Sequence, residues 1–214
     1  MASGSASTPE AVAARIRACR ICVECPKGTP LPHEPRPVVV ASPTARLLIA
    51  GQAPGTRVHA SGAPFTDASG DRLRDWMGIG RDIFYDPARV AIAPMGFCFP
   101  GLDARGSDRP PRKECAPAWR DELMASMGQV ELVLAIGLHA QKWHLGALRR
   151  ENLTETVRDW RRILTETSRR NDMPAVLPMP HPSWRNTAWL KRNPWFEEDL
   201  LPVLRGEVAR LTGA

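Results

Sequence analysis

Apolar residues along this chain gather in short runs separated by longer stretches of mixed polarity. Four runs read as buried strands: ARLLIAG (45–51), RVAIAPMGFCFPG (89–101), VELVLAIG (130–137) and MPAVLPMP (173–180). Gly or Pro lies at or near the end of each run. Between them, apolar positions recur every three or four residues, the spacing of one helix face. That pattern predicts helices over 9–22, begun by Pro9 after Thr8, over 69–80 with Ser69 as cap, over 116–127, over 138–146 and around 153–167. The stretch after residue 181 reads as helical in two pieces, broken at Asn193-Pro194. PKGTPLPHEPRP (26–37), with five prolines, reads as an extended loop, and DARGSDRPPRKE (103–114) as a polar, basic linker.

Apolar strands alternating with helices predict an α/β fold, a three-layer sandwich whose mainly parallel four-stranded sheet is flanked by helices. There are no internal repeats, and 214 residues suit a single domain over 1–214 with 1–8 as a flexible tail. Ligands of such sheets lie beyond the carboxyl ends of the strands. That rule places 51–67, 94–101, 137–139 and 180–186 on one rim.

Two of these loops carry candidate chemistry. In GQAPG (Gly51, Gln52, Ala53, Pro54, Gly55), two glycines and a proline fix a tight turn with exposed amides. No Gly-Lys-Ser/Thr follows, so it is not a phosphate loop, and it is not the GxGxxG dinucleotide fingerprint. In PMPHPSWRN (178–186), Pro180 and Pro182 bracket His181 and present its imidazole from a stiff backbone at a strand end.

Taken with PFTDASG (64–70), these loops resemble the uracil-DNA glycosylase superfamily, which pairs a first motif of the GQDPY or GEAPG kind with a second centred on HPS. GAPFTDASGDRL (62–73) looks like the bacterial branches that carry an iron–sulfur cluster. The resemblance implies excision of uracil, or of other deaminated bases, from DNA to leave an abasic site. Such chemistry needs a flipped base in a pocket. Phe65 matches the aromatic that stacks on the base, and His181 matches the donor to the base oxygen as negative charge grows there. Ala53 stands where GQDPY has its acid, and Gln52 where GEAPG has its own. Asp67 is therefore the favoured carboxylate for the cationic sugar and the attacking water, because a carboxylate stabilises an oxocarbenium better than an amide does. Gln52 and His59 are further candidates for orienting water, and Asp71 belongs to the first helical turn.

Many relatives read the pyrimidine edge with an Asn at the end of the second strand, where this chain has Pro94. Recognition then falls to the backbone of Met95, Gly96 and Phe97 or to another side chain, with Ser183 also near the base. After HPS, Trp184, Arg185 and Asn186 occupy the place of the loop that fills the gap left by the flipped nucleotide. Trp189 and Trp195 read as core.

Composition adds charge and sulfur. Lys and Arg number 29 against 23 Asp and Glu, a net charge of +6, and nearly all the cations are Arg, whose fork suits phosphate. Arg105, Arg109, Arg112 and Lys113 are the candidate phosphate contacts. Five cysteines at 19, 22, 25, 98 and 115, with no leader-like start, fit metal or free thiols rather than disulfides. The resemblance implies a structural [4Fe–4S] cluster on Cys19, Cys22, Cys98 and Cys115; zinc suits four thiolates equally, and Cys25 offers an alternative hook with Cys22. No apolar stretch approaches a membrane span, so a cytoplasmic protein is expected, and the resemblance implies a monomer acting on uracil-containing DNA. Two other readings stay open: a catalytically silent nucleic-acid binder of the same fold, favoured by the missing acids at 52 and 53, and a metal-cluster module that senses redox state.

Overall fold

A computed structural model describes residues 7–214. The expected tail at 1–8 falls mostly outside that range, but Thr8 is ordered into structure: its side chain accepts the Ala11 N–H and caps helix α1, Pro9–Arg17. The helix expected over 9–22 is two helices. α1 ends at Arg17 with Ala18 as its C-cap, and a four-residue helix, α2 (Ile21–Glu24), follows with Arg20 as its N-cap.

The four apolar runs form one sheet: β1 (Leu47–Ala50), β2 (Val90–Ile92), β3 (Leu132–Ile136) and β4 (Ala175–Met179). Its order is β2-β1-β3-β4 and every pairing is parallel, not merely most of them. The second strand is far shorter than its apolar run, and 93–101 continues as buried, irregular backbone. Because alternate residues face opposite sides, each strand must be apolar on both. Leu48, Ala50, Val133, Ala135 and Val176 pack on one face against α1, α6 (Cys115–Ser126) and α7 (Gly137–Leu145). Leu47, Ile49, Leu132, Leu134, Ile136 and Leu177 pack on the other against α4 (Ala68–Met77) and α11 (Leu201–Thr212).

Five further helices frame the site or the flanks. α3 (Thr56–Ser61) and α5 (Arg81–Phe84) give no clear periodic signal in sequence. The helix expected around 153–167 divides at Asp159 into α8 (Leu153–Arg158) and α9 (Trp160–Ser168). The last stretch is α10 (Thr187–Arg192), a break at Asn193-Pro194 and then α11, and Trp189 and Trp195 pack against that layer's core.

Both sheet edges are covered. At β2, Val40 and Ile92 exchange both backbone hydrogen bonds at 2.8 Å. At β4, the Val176 N–H is met by the buried Thr167 hydroxyl of α9 at 2.9 Å, and the same hydroxyl donates to Ile163 O at 2.8 Å. An edge amide so capped cannot recruit a foreign strand. Thr167→Val leaves the Val176 N–H buried without a partner and should cost about 1–3 kcal/mol in urea unfolding; an unchanged midpoint would remove this role.

Candidate active site

The carboxyl ends of all four strands open on one cleft of about 590 Å³. β1 delivers Gly51 to Gly55, β2 Pro94, β3 Leu138 and β4 His181, as the geometry of a parallel sheet requires. Of the residues expected there, Gly51, Gln52, Ala53, Pro54, Gly55, Phe65, Asp67, His181, Ser183, Trp184, Arg185 and Asn186 line it.

Phe65 has φ +54°, the only positive φ at a non-glycine among the described residues. A left-handed residue of this kind costs about 1–2 kcal/mol and persists only where neighbours hold it. Here its carbonyl oxygen accepts from Tyr85 Oη at 2.9 Å and from Arg74 Nη1 at 3.1 Å. Arg74 is itself buried between the rings of Phe84 and Tyr85 and paired with Asp71 at 2.5 Å. The turn also demands glycine at 70, where a Cβ would stand 1.8 Å from that same oxygen. The chain then enters α4, capped by Asp67 rather than Ser69: Asp67 Oδ1 accepts the Gly70 N–H at 3.2 Å. Ring and carboxylate are thus set by one turn.

On the facing wall, the Ser183 N–H donates to His181 Nδ1 at 3.2 Å. An accepting Nδ1 puts the proton of a neutral ring on Nε2, which is then a donor. Burial pushes the His181 pKa down, and nearby Asp67 and Asp108 pull it partly back. Asn186 donates to His181 O at 2.7 Å, so its amide braces this loop rather than reaching for DNA. Arg72 of α4 donates to Ser183 O at 2.9 Å and to Thr187 Oγ1 at 3.3 Å, joining the two walls.

Asp108 was hidden in the basic linker. It lines the cleft, held by a bridge to Leu102 and by a turn in which Asp103 Oδ1 accepts from Arg105 N and Ser107 N, both at 2.9 Å. A Cβ on Gly55 would lie 3.3 Å from Asp108 Oδ2, so the first loop and this carboxylate touch. Although the residue is largely exposed, burial raises its carboxyl pKa; Arg185 and His181 lower it and Asp67 raises it further. The cleft therefore holds two carboxylates, Asp67 and Asp108, beside one imidazole.

Several expected contacts lie elsewhere. The Met95, Gly96 and Phe97 amides are committed to Gly51 O, Gln52 O and Cys115 Sγ, and Phe97 O accepts from Val38. These residues are buried and outside the cleft, so that backbone cannot read a base. His59 on α3 packs against His33 and Phe99, with ring centroids 4.2 and 5.7 Å away, instead of facing the cleft. Arg112 is half-buried: it donates to Thr29 O at 2.7 Å and pairs with Glu114, which ties down the proline-rich arm and is incompatible with a free phosphate contact. Arg109 is exposed and uses its backbone N–H on Gly101 O.

The thiols of Cys19, Cys22, Cys98 and Cys115 act on one another electrostatically, and burial pushes Cys98 and Cys115 up to about 12. Trp119 Nε1 donates to Cys19 Sγ at 3.2 Å and the Phe97 N–H to Cys115 Sγ at 3.3 Å. Cys25 is exposed. Among the described residues no three His, Cys, Asp or Glu side chains are drawn together as a metal-ion site. Four thiols that influence one another, two of them already accepting N–H groups, are by their chemistry a donor set suited to an iron–sulfur cluster.

A parallel α/β sheet with an aromatic, an imidazole and carboxylates at its carboxyl rim defines a small-ligand site of hydrolytic character. The uracil DNA glycosylase superfamily model matches residues 38–205, and the chain belongs to that superfamily. Membership supports a DNA glycosylase-type hydrolase. The matched span holds every cleft residue named above, and Cys98 and Cys115, but not Cys19 or Cys22. Among the described residues no helix is long and apolar enough to cross a membrane.

Gly70→Ala forces the Phe65 carbonyl out of its socket. It should cost about 1–3 kcal/mol, read as a fall in Tm of about 2–4 °C per kcal/mol; an unchanged Tm would show that the Phe65 turn adapts freely.

Proposed function

We propose that this cleft excises uracil, or a related deaminated base, from DNA by hydrolysing the N-glycosidic bond, and that the protein works as a monomer. The observation that carries this reading is the convergence of Phe65, Asp67, Asp108 and the Nε2–H of His181 on one cleft. A flipped base stacks on Phe65 while His181 Nε2–H donates to its oxygen, where charge grows as the bond breaks. A neutral donor suits that step, since it needs no proton from solvent. Asp67, fixed by its cap bond, lies where negative charge favours the cationic sugar. Asp108, made more basic by burial, takes the proton of the attacking water. Base reading falls to Gln52, whose carbonyl is used by Gly96 but whose side-chain amide lies in the cleft against Gly137.

Trp184, 72% exposed beside the cleft, is the side chain suited to enter the gap left in the duplex, with Arg185 over its ring at 5.8 Å and Arg109 free for phosphate. Cys19, Cys22, Cys98 and Cys115 hold a [4Fe–4S] cluster, with zinc as the alternative; its contribution is structural, pinning the arm before residue 38 to the 98–115 loop. Iron, sulfide and zinc content of the purified protein decides between them. The silent-binder reading draws on Ala53 and Gln52, where relatives have acids.

Incubation with an oligonucleotide carrying one uracil, then alkali, reveals abasic sites as strand breaks. Asp67→Asn and Asp108→Asn should each lose about 10²–10⁴-fold in rate, and His181→Ala about 10²–10³-fold. Binding without breaks in the wild type would establish the silent binder. Because the Asp108 carboxyl is raised, activity should fall with acid at a pH above that of an ordinary aspartate, as the base becomes protonated. Asp108→Asn should abolish that limb; a limb that persists assigns the base to another group.

A further inference from the structure

Arg120 is the largest fully buried side chain among the described residues. Its Nη1 donates to Ala93 O at 2.6 Å and Pro94 O at 3.2 Å, and its Nη2 to His144 Nε2 at 2.6 Å. The Trp143 ring lies 5.3 Å from the guanidinium, and Nε has no hydrogen-bond partner among the described residues. His144, which accepts through Nε2, is kept neutral by burial and by Arg120 itself. Burial lowers the Arg120 pKa to about 10, so it is still a cation at neutral pH. Among the described residues no carboxylate pairs with it, and the group that favours its charge is Cys115, at the start of the same helix.

A fully buried cation without an anion is rare in folded proteins, because its desolvation goes uncompensated. The anion this site lacks is the one the sulfur group supplies when its thiols are ligated. Four thiolates around an iron–sulfur core leave a net negative charge, and neighbouring charges tune its potential. The two N–H groups already aimed at Cys19 and Cys115 have the same polarity as Arg120.

We propose that Arg120 is the buried counter-charge of an anionic iron–sulfur cluster on Cys19, Cys22, Cys98 and Cys115. It is also a positioning residue, since through Ala93 O and Pro94 O it ties that sulfur site to the end of β2 in the cleft. This inference rests on the cluster reading given above. Removing the charge should therefore favour the oxidised, less negative cluster, while a lysine in its place should preserve the balance.

Iron and acid-labile sulfide are measured first in the wild type; absence of both overturns the cluster reading itself, and this proposal with it. With the cluster present, potentiometric titration of Arg120→Met should show at least a tenfold shift toward the oxidised form, about 59 mV more negative for one electron. Arg120→Lys should stay within twofold of wild type. An iron-replete Arg120→Met with an unchanged potential overturns the role of Arg120 and leaves the cluster standing. Thermal melting separates charge from packing: Arg120→Met should melt below wild type with iron bound, but not below it after chelation. Equal losses in both forms overturn the proposal. Should Arg120→Met fail to fold, Arg120→Lys carries the test, and a lysine variant that loses its iron overturns it.

Discussion

The carbonyl oxygen of Phe65 is the point from which the cleft hangs. Tyr85 and Arg74 donate to it, and the bare α-carbon of Gly70 closes against it. A left-handed aromatic residue is unfavourable by itself, and two hydrogen bonds, one charge-assisted, are the size of effect that holds it. Arg74 can serve because it is buried among rings and neutralised by Asp71, so its fork is fixed before any ligand arrives. The same oxygen thereby sets two functional directions at once: the face of the Phe65 ring and, two residues on, the start of α4 at Asp67.

From there α4 acts as the ruler between the walls. Its cap is Asp67, its first exposed turn sends Arg72 across to Ser183 O and Thr187, and Arg74 returns to the Phe65 carbonyl. The wall it reaches is braced from behind, since Asn186 holds His181 O and the Ser183 N–H selects the imidazole tautomer. The Phe65 ring, the Asp67 carboxylate and the His181 loop are therefore referenced to one helix. Preorganisation of that kind lets fixed dipoles stabilise developing charge without rearranging.

The strands were legible because burial on both faces leaves almost no polar position in LLIA or LVLAI. Their carboxyl ends, and hence Gly51–Gly55 and His181, followed from topology alone. Local competition was not legible: Ser69 looked like a cap, yet the turn that frees Phe65 places Asp67 at the helix start. Nor was Asp108, which sits among Arg105, Arg109 and Arg112 in a stretch whose charge reads as solvated surface. Only the turn built on Asp103, with the pairing of Leu102 to Asp108, turns that carboxylate inward. A weak cue existed, for Asp103, two residues before Arg105 and three before Gly106, makes the sequence of a side-chain-closed turn. His59, Met95, Gly96 and Phe97 failed for the opposite reason: proximity to a motif along the chain says nothing about which backbone groups are already taken.

The loop between Cys98 and Cys115 joins the sulfur site to the chemistry. Both ends are buried thiols, Arg112 and Glu114 fasten its return to Thr29 and Lys27, and its tip carries Asp108 over Gly55. The loop's own hydrogen bonds shape its tip around Asp103, while its position against the cleft depends on how firmly its two ends are held. A group bound at those sulfurs would act on Asp108 by restraining the loop from its ends.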